Sequence, residues 1–385
     1  MTEAALRVIG TSVTLHESVQ KLAVRDLDFP IAFEVLDGLT CQQRGVTQPE
    51  TYDVYDQWFH SVDLLWTAGS IQSIDTAQVH LWDNLSPLTR SVNSKSEEKG
   101  TRPVDVIYVQ PNNALGSEYS EKISMLPTTF NVDSFAYVAD SANTSLPKEE
   151  SWSWLLDDCW HGHARVSRDP ASSVIELALA ATSAGLMDAE NVGDLSIEEV
   201  DILFDILMKY KKKGHFNKSW TSHEESVRQF MLPSTLIGSL WSPAYYEAKG
   251  LGRNLKYACP KEGYRGWHSG LCLSAVLSAE MHEKSYDYLN WWLSGVPGAI
   301  MARQGYYMSV IEPMMRTLSE EEWDFWYGGR PAAKDLISLH GETAVFKGET
   351  RPGGSYENRI SGIAAWSTIM NEHNYIVRRW REFLD

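Results

Sequence analysis

Apolar runs and amphipathic stretches alternate along the first part of the chain. Short apolar runs at 6–10 and 31–36 predict buried strands, and the segment 16–27 between them has the periodicity of an amphipathic helix. A short third strand is predicted at 52–55, followed by a loop at 57–63. This order of strands and helices is typical of an α/β protein.

Polar and aromatic side chains follow the first and third predicted strands. In parallel α/β layers, ligands bind beyond the carboxyl ends of the strands. The pattern therefore predicts that these two loops contribute to a ligand site. The candidate ligand contacts in them are Thr11, Ser12, Thr14, Trp58, Phe59, His60 and Ser61.

The helix with the clearest sequence signal spans 196–213. Ser196 and Glu199 form a capping box, apolar residues repeat along one face, and Gly214 ends the pattern. Lysines in the last turn complement the helix dipole, so we interpret them as a solvated helix end and not as a nucleic-acid patch. Further predicted elements are strands at 104–109, 164–167 and 235–241, helices at 151–156, 172–183, 244–249, 285–293 and 360–384, and an exposed loop at 91–100.

Two other segments carry mixed signals. The extended segment 125–140 contains polar residues in mid-run, which suits a crossover between two lobes and a plain strand of one sheet about equally. The segment 257–273 predicts two short strands joined by a glycine-rich turn around Trp267 and His268. Large aromatic side chains with polar neighbours line concave sites, so we interpret this segment as a wall of a ligand site.

Composition excludes several classes of partner. The chain has 385 residues, with 51 acidic and 34 basic ones and a net charge of −17, which works against binding to nucleic acid or to an anionic membrane surface. No apolar run approaches the ~20 residues that a spanning helix needs. The first residues lack a basic segment followed by an apolar one, so either the protein is cytoplasmic or the chain begins after a signal peptide has been removed.

Signals for catalysis or metal binding are weak. The sequence has no HExxH, P-loop, GxSxG or GxGxxG motif. His161 and His163 have no third ligand at a recognisable spacing, so we interpret them as structural or surface residues and predict no metal and no cofactor. Cys259 and Cys272 flank the predicted turn and suit either a disulfide or two free thiols.

Three segments together resemble a known family. SWSWLLDDCWHGHARVSRDP, LIGSLWSPAYYEAKGLGRNLKYACPKEGYRGWHSGLCLS and YDYLNWWLSGVPGAIMARQGYY follow one another in an order similar to that of the spermidine/putrescine-type extracellular solute-binding proteins of bacterial ABC importers. The resemblance runs over about 126–307. It implies an α/β, two-lobe periplasmic-binding-protein fold (type II-like) with crossing hinge strands. The expected lobes are 1–131 plus about 268–312, and 132–267 plus about 313–385.

The resemblance also assigns ligand-binding residues. Trp241 matches a tryptophan at the end of the strand before PKEG, Trp267 the aromatic after PKEG, and Tyr306 a tyrosine in the turn after the NWWLS helix. Asp169 matches an acid at the start of the middle helix.

Departures from the family pattern change the expected ligand. Ser172 and Ser269 stand where polyamine-binding members have acids, and Arg168 replaces another common acid. A diammonium ligand needs two well-separated anionic groups in its site, and two of the three candidate acids are replaced here. The guanidinium of an arginine instead binds a carboxylate in a bidentate manner.

The sequence therefore predicts a binding protein, not an enzyme, that captures a small polar organic solute between two lobes. The expected solute is a zwitterionic amine, a quaternary ammonium compound or an organic acid, with a polyamine as the alternative. The expected protein is a periplasmic monomer that docks on a membrane ABC permease. A cytoplasmic enzyme on a similar scaffold, or a chemoreceptor-linked binding protein, is the competing class. The expected ligand-binding residues are Thr11, Ser12, His60, Ser61, Arg168, Asp169, Trp241, Trp267, Ser269 and Tyr306.

Overall fold

The computed structural model describes residues 3–90, 100, 102–142, 146 and 148–385. The chain divides into two compact units. Unit 1 comprises Met1–Ser96, Thr101–Asn131 and Trp267–Trp323, and unit 2 comprises Glu97–Gly100, Val132–Gly266 and Asp324–Asp385. Apart from its last residue, the loop predicted at 91–100 lies outside the described residues.

Strands and helices alternate over residues 6–72, and runs of strands and of helices follow. The strands are β1 Leu6–Gly10, β2 Ile31–Val35, β3 Val54–Trp58, β4 Ile71–Gln72, β5 Ile74–Asp75, β6 Tyr108–Val109, β7 Leu115–Gly116, β8 Lys122–Ile123, β9 Leu126–Val138, β10 Ala164–Arg165, β11 Ile237–Leu240, β12 Leu255–Tyr257, β13 Tyr264–Ser274, β14 Tyr307–Met308, β15 Leu336–Ile337, β16 Thr343–Val345 and β17 Ile363–Trp366. The α-helices are α1 Glu17–Asp26, α2 Gly38–Thr47, α3 Val62–Thr67, α4 Pro87–Arg90, α5 Pro170–Ser183, α6 Ile197–Lys212, α7 His223–Phe230, α8 Ser242–Gly250, α9 Ala279–Leu293, α10 Val296–Arg303, α11 Met314–Thr317, α12 Glu320–Trp326, α13 Tyr356–Ile360 and α14 His373–Leu384. No helix among the described residues is long and apolar enough to cross a membrane.

Unit 1 is built on a mixed sheet whose first strands are parallel. β1 pairs in parallel with β2 and β3, and β3 pairs antiparallel with β13, with Ser269 opposite Trp58. β14 pairs antiparallel with the first half of β9. A smaller sheet has the order β5-β8-β6-β7. The parallel strands bring the loops that follow β1 and β3 to the same edge of the sheet.

Unit 2 has its own strands and a large apolar core. β10 is parallel to β11, which pairs antiparallel with the second half of β9, as does β12. β17 is parallel to the first residues of β13. Helices α5, α6 and α14 pack into a core that includes the buried Trp152, Trp160 and Trp380. The predicted capping box is confirmed, because Ser196 Oγ accepts from the Glu199 backbone at 3.2 Å and the Glu199 carboxylate accepts from the Ser196 backbone at 2.8 Å.

The segment 257–273 is not the predicted hairpin. Its tight turn lies earlier, closed by the hydrogen bond from Gly263 N to Pro260 O at 2.9 Å, and β13 then runs unbroken for 11 residues. A Cβ on Gly266 would lie 3.0 Å from the Trp366 ring, and one on Gly270 would lie 2.5 Å from the Leu126 carbonyl oxygen. These glycines therefore allow close packing within a strand, and they do not mark a turn.

Other predictions about single elements are corrected or decided by the structure. The tail predicted as one helix at 360–384 contains β17 before α14 begins at His373. The predicted strand at 104–109 is a 3-10 turn followed by the two-residue β6. Segment 125–140 forms the single strand β9, which passes from unit 1 to unit 2 after Asn131. Cys259 and Cys272 are free thiols, as are the other two cysteines.

Candidate functional site

Predicted contacts from the first two loops lie at one edge of the unit 1 sheet. Thr11 and Ser12 form the turn after β1 and are half-buried. The rings of Trp58 and His60 stack at 5.3 Å and 17°, and both side chains remain partly exposed. Ser61 is fully buried and donates its hydroxyl hydrogen to the Trp58 carbonyl at 2.7 Å. The edge thus presents a flat aromatic surface next to small polar groups.

Trp267 and Tyr306 form an aromatic pair in unit 1. Their rings meet edge to face at 5.0 Å and 86°, with Trp267 8% and Tyr306 1% exposed. Ser269 is 1% exposed, and its hydroxyl donates to the Gln57 carbonyl at 2.9 Å across the strand pair. The structure therefore brings Trp267 and Tyr306 together, while the hydroxyl of Ser269 bonds within the sheet.

Arg168 and Asp169 precede α5 in unit 2 but differ in their partners. The Asp169 carboxylate is 7% exposed and caps the helix, accepting from Ala171 N at 3.1 Å and from Ser172 Oγ at 2.6 Å. The backbone of Arg168 is fixed by Trp220 O at 2.7 Å and by the Trp380 indole at 2.8 Å. The residue is half-buried, and its guanidinium has no ion pair or hydrogen bond within the described part of the chain. A carboxylate group of a ligand would match such a guanidinium.

Trp241 stands at the start of α8 in unit 2. Its backbone caps the helix, and its half-buried ring meets the buried Trp220 edge to face at 4.9 Å and 89°. Since Trp220 accepts the backbone N–H of Arg168 through its carbonyl, the aromatic pair and the arginine belong to one local arrangement.

A buried ionic network was not among the predicted site residues. Arg265 on β13 donates to Glu176 on α5 at 2.7 Å, to Ser367 at 2.7 Å and to Asp133 on β9 at 3.3 Å. The Arg265, Glu176 and Asp133 side chains are at most 2% exposed. Burial opposes the charge of Arg265, but Glu176 and Asp133 outweigh it and raise the pKa of the guanidinium. Burial also raises the pKa of Glu176, against the opposing effect of Arg265.

A comparison with known proteins identifies the family of this chain. A family model of bacterial extracellular solute-binding proteins matches residues 46–313. The chain belongs to this family. No curated protein matches this solute-binding protein in a sequence search.

Solved structures show the fold that this solute-binding protein shares with distant relatives. One is the spermidine/putrescine ABC transporter substrate-binding protein PotD from Streptococcus pneumoniae, 13% identical, covering 100% of both chains with a TM-score of 0.61. Another is the PBP AgtB from A. tumefaciens R10 in complex with agropinic acid, 11% identical over 99% of this chain and 98% of that one, with a TM-score of 0.64. The Atu4243 GABA receptor is 14% identical over 99% and 98%, with a TM-score of 0.65. The α/β fold of two-lobed periplasmic binding proteins is thereby confirmed.

Two buried ionisable groups in unit 1 of the solute-binding protein were also missed. Asp56 on β3 is fully buried, and burial raises its pKa to about 8, partly offset by the Thr14 hydroxyl. His268 on β13 is 2% exposed and stacks on Phe130 at 5.1 Å, and burial lowers its pKa to about 3. Both are therefore neutral at neutral pH. The alternation of polar and apolar residues along β3 and β13 gave no sign that these polar positions are buried.

Proposed function

We propose that this solute-binding protein of an ABC importer captures a small organic solute that carries an acid group, either a zwitterionic amine or an organic acid. We further propose that units 1 and 2 are its two lobes and that it delivers the solute, as a monomer, to a membrane permease. The observation that carries the choice of ligand class is the guanidinium of the half-buried Arg168, which has no partner in the described chain.

An unpaired, half-buried guanidinium favours an anionic ligand. Its five donors match a carboxylate in bidentate geometry, and this match is stronger where water is partly excluded. The backbone of Arg168 is fixed by two hydrogen bonds, so little backbone entropy is lost at this position when the ligand binds. The N-terminus of α5, which begins two residues after Arg168, adds a favourable dipole for the same negative charge.

A polyamine would need carboxylates to pair with its amino groups, and Asp169 is the one carboxylate among the candidate ligand residues. The Asp169 carboxylate already accepts from Ala171 and Ser172. Ser172 and Ser269 supply hydroxyls where the family resemblance expects carboxylates. A relative in complex with agropinic acid and a GABA receptor support a solute with an acid group. The spermidine/putrescine relative keeps a polyamine as the second candidate.

The aromatic residues supply the proposed apolar surfaces of the site. We propose that Trp241, Trp267 and Tyr306 contact the carbon skeleton or the cationic end of the solute, each cation contact contributing about 0.5 to 2 kcal/mol. The hydrogen-bonding contributions are assigned to Thr11, Ser12, His60, Ser61, Asp169 and Ser269. Because their hydrogens are already donated, Ser61 and Ser269 would act only as acceptors.

Arg168→Ala is expected to weaken binding of an acid-bearing solute by about 30-fold or more, since a desolvated charge pair is worth about 2 kcal/mol or more. The full chain would first be unfolded and refolded to remove carried-over ligand. A thermal-shift panel of γ-aminobutyrate, other zwitterions, organic acids, putrescine and spermidine would find the ligand, because a ligand at 100 times its Kd adds about 2.7 kcal/mol. Titration calorimetry would then give Kd for each variant.

The control removes an equal charge from another helix of unit 2. Arg228→Ala replaces an exposed arginine on α7 and should leave Kd unchanged. If only putrescine or spermidine stabilises the protein, the polyamine candidate replaces the acid-bearing solute. If an acid-bearing solute binds equally well to both variants, the assignment to Arg168 is wrong.

A further inference from the structure

Three metal-ligating side chains from three different elements converge in unit 2. His223 is the first residue of α7, Glu247 lies on α8, and His340 lies in the turn between β15 and β16. Glu247 Oε2 is 2.6 Å from His223 Nε2 and 3.4 Å from His340 Nε2. All three ligand atoms lie within 4.8 Å of one another. No motif in the sequence predicts this arrangement, because the residues are far apart along the chain.

The scaffold around the cluster is fixed by other contacts. α8 packs against both α7 and β16. Lys249 on α8 pairs with Glu349 and donates to the Ala344 carbonyl of β16 at 3.2 Å. The turn that carries His340 is closed by the hydrogen bond from its backbone N–H to Ser338 Oγ at 3.1 Å. The three side chains are therefore held together by packing that does not depend on the cluster itself.

We propose that His223, Glu247 and His340 bind a divalent transition-metal ion, with Zn²⁺ as the expected ion. Two imidazoles and one carboxylate form a donor set that Zn²⁺ uses where it keeps a fourth position open. Imidazole nitrogens favour Zn²⁺, Cu²⁺ and Ni²⁺ over Mg²⁺ and Ca²⁺, which prefer oxygen donors.

The distances suit such an ion after small movements. Tetrahedral coordination at about 2.0–2.1 Å places donor atoms roughly 3.3 Å apart. The Glu247–His340 distance of 3.4 Å already matches this value. The Glu247–His223 distance of 2.6 Å is a hydrogen bond that opens when the ion replaces its proton. The side chains of His223, Glu247 and His340 are 13%, 22% and 46% exposed, so the site is reachable from solvent.

The local charge favours a cation. Glu247 is the carboxylate of the cluster, and Glu224 follows His223 at the start of α7. Two carboxylates thus lie at or beside the cluster. The bound ion would link the β15–β16 turn to α7 and α8, a stabilising role distinct from solute binding.

The test is a titration of Zn²⁺ into the chelator-treated full chain, followed by calorimetry and thermal denaturation. We expect one ion per chain and a higher Tm with Zn²⁺ than with chelator, because an ion that binds the native state stabilises it. Ca²⁺ should give neither effect. The visible absorption of Co²⁺ bound at the same site would report the nitrogen and oxygen donors.

His340→Ala removes one ligand from an exposed turn and should weaken Zn²⁺ binding by more than about 100-fold, since loss of even an outer partner costs 10–100-fold. Glu247→Gln keeps the size of the side chain and should have a similar effect. His80→Ala, at an exposed histidine of unit 1, is the matched control and should leave binding unchanged. The proposal is wrong if the wild type binds no Zn²⁺, or if His340→Ala and Glu247→Gln bind it as tightly as the control.

Discussion

Replacement of Arg265 by methionine is expected to lower the free energy of unfolding by about 3 to 5 kcal/mol. The guanidinium is paired with both Glu176 and Asp133, and both carboxylates are at most 1% exposed. Methionine has a similar length and an apolar surface, so the substitution leaves little cavity but two buried acids without their cation. Urea denaturation followed by tryptophan fluorescence would measure the change, since the core of unit 2 contains several buried tryptophans.

Two variants separate this effect from the loss of any charge. Arg330→Met removes an arginine whose side chain is 70% exposed and paired with Asp324, and exposed pairs contribute less than about 1 kcal/mol. Glu176→Gln removes one of the two acids and leaves Arg265 paired one to one with Asp133, so it should cost about 1 kcal/mol. If Arg265→Met costs no more than Arg330→Met, the buried network does not hold unit 2 together.

The same network shows what the sequence could and could not predict. Arg265 lies inside the aromatic segment that sequence analysis singled out, yet its partners Asp133 and Glu176 are 132 and 89 positions away. A local pattern gives the identity and the approximate element of each residue, but not which of them meet. Which distant residues meet depends on the strand register of β9 and β13 and on the position of α5, and no local pattern determines these.

Local signals were reliable where the physical cause is itself local. The capping box at Ser196 and Glu199 is formed by residues three positions apart, and the structure has it as predicted. The glycines of β13 were misread because glycine serves both turns and close packing, and only the neighbours decide between the two uses. The cluster of His223, Glu247 and His340 was missed for a different reason, because its members come from two helices and a turn that are far apart along the chain.

Among the candidate ligand residues, the structure brings one pair into contact and gives another residue a second, local role. The family resemblance placed Trp267 and Tyr306 in one site, and the structure shows their rings in contact. The family resemblance matches Asp169 to an acid of the ligand site, and in the structure its carboxylate also caps α5, accepting from Ala171 and Ser172. A helix cap and a ligand contact require the same residue type at the same position, so the sequence alone does not distinguish them.

Asp56→Asn is expected to make the protein more stable at neutral pH, by an amount that increases with pH. The folded-state pKa of Asp56 is about 8, against 3.8 for an exposed aspartate, because burial disfavours the carboxylate. Below pH 4 both states hold the proton, and the group contributes no pH dependence. Between pH 4 and 8 the unfolded chain releases the proton while the folded chain keeps it, so wild-type stability falls as pH rises.

The measurement is the difference in unfolding free energy between Asp56→Asn and the wild type from pH 5 to 9. Each pH unit should add at most about 1.4 kcal/mol to this difference, up to about pH 8, where it should level off. Subtracting the wild type removes the contributions of other groups, including the buried neutral His268 on β13. Asp28→Asn, at an exposed aspartate of unit 1, should give a flat difference over the same range. A flat difference for Asp56→Asn as well would mean that Asp56 ionises as readily in the folded chain as in water, and that the polar end of β3 is hydrated.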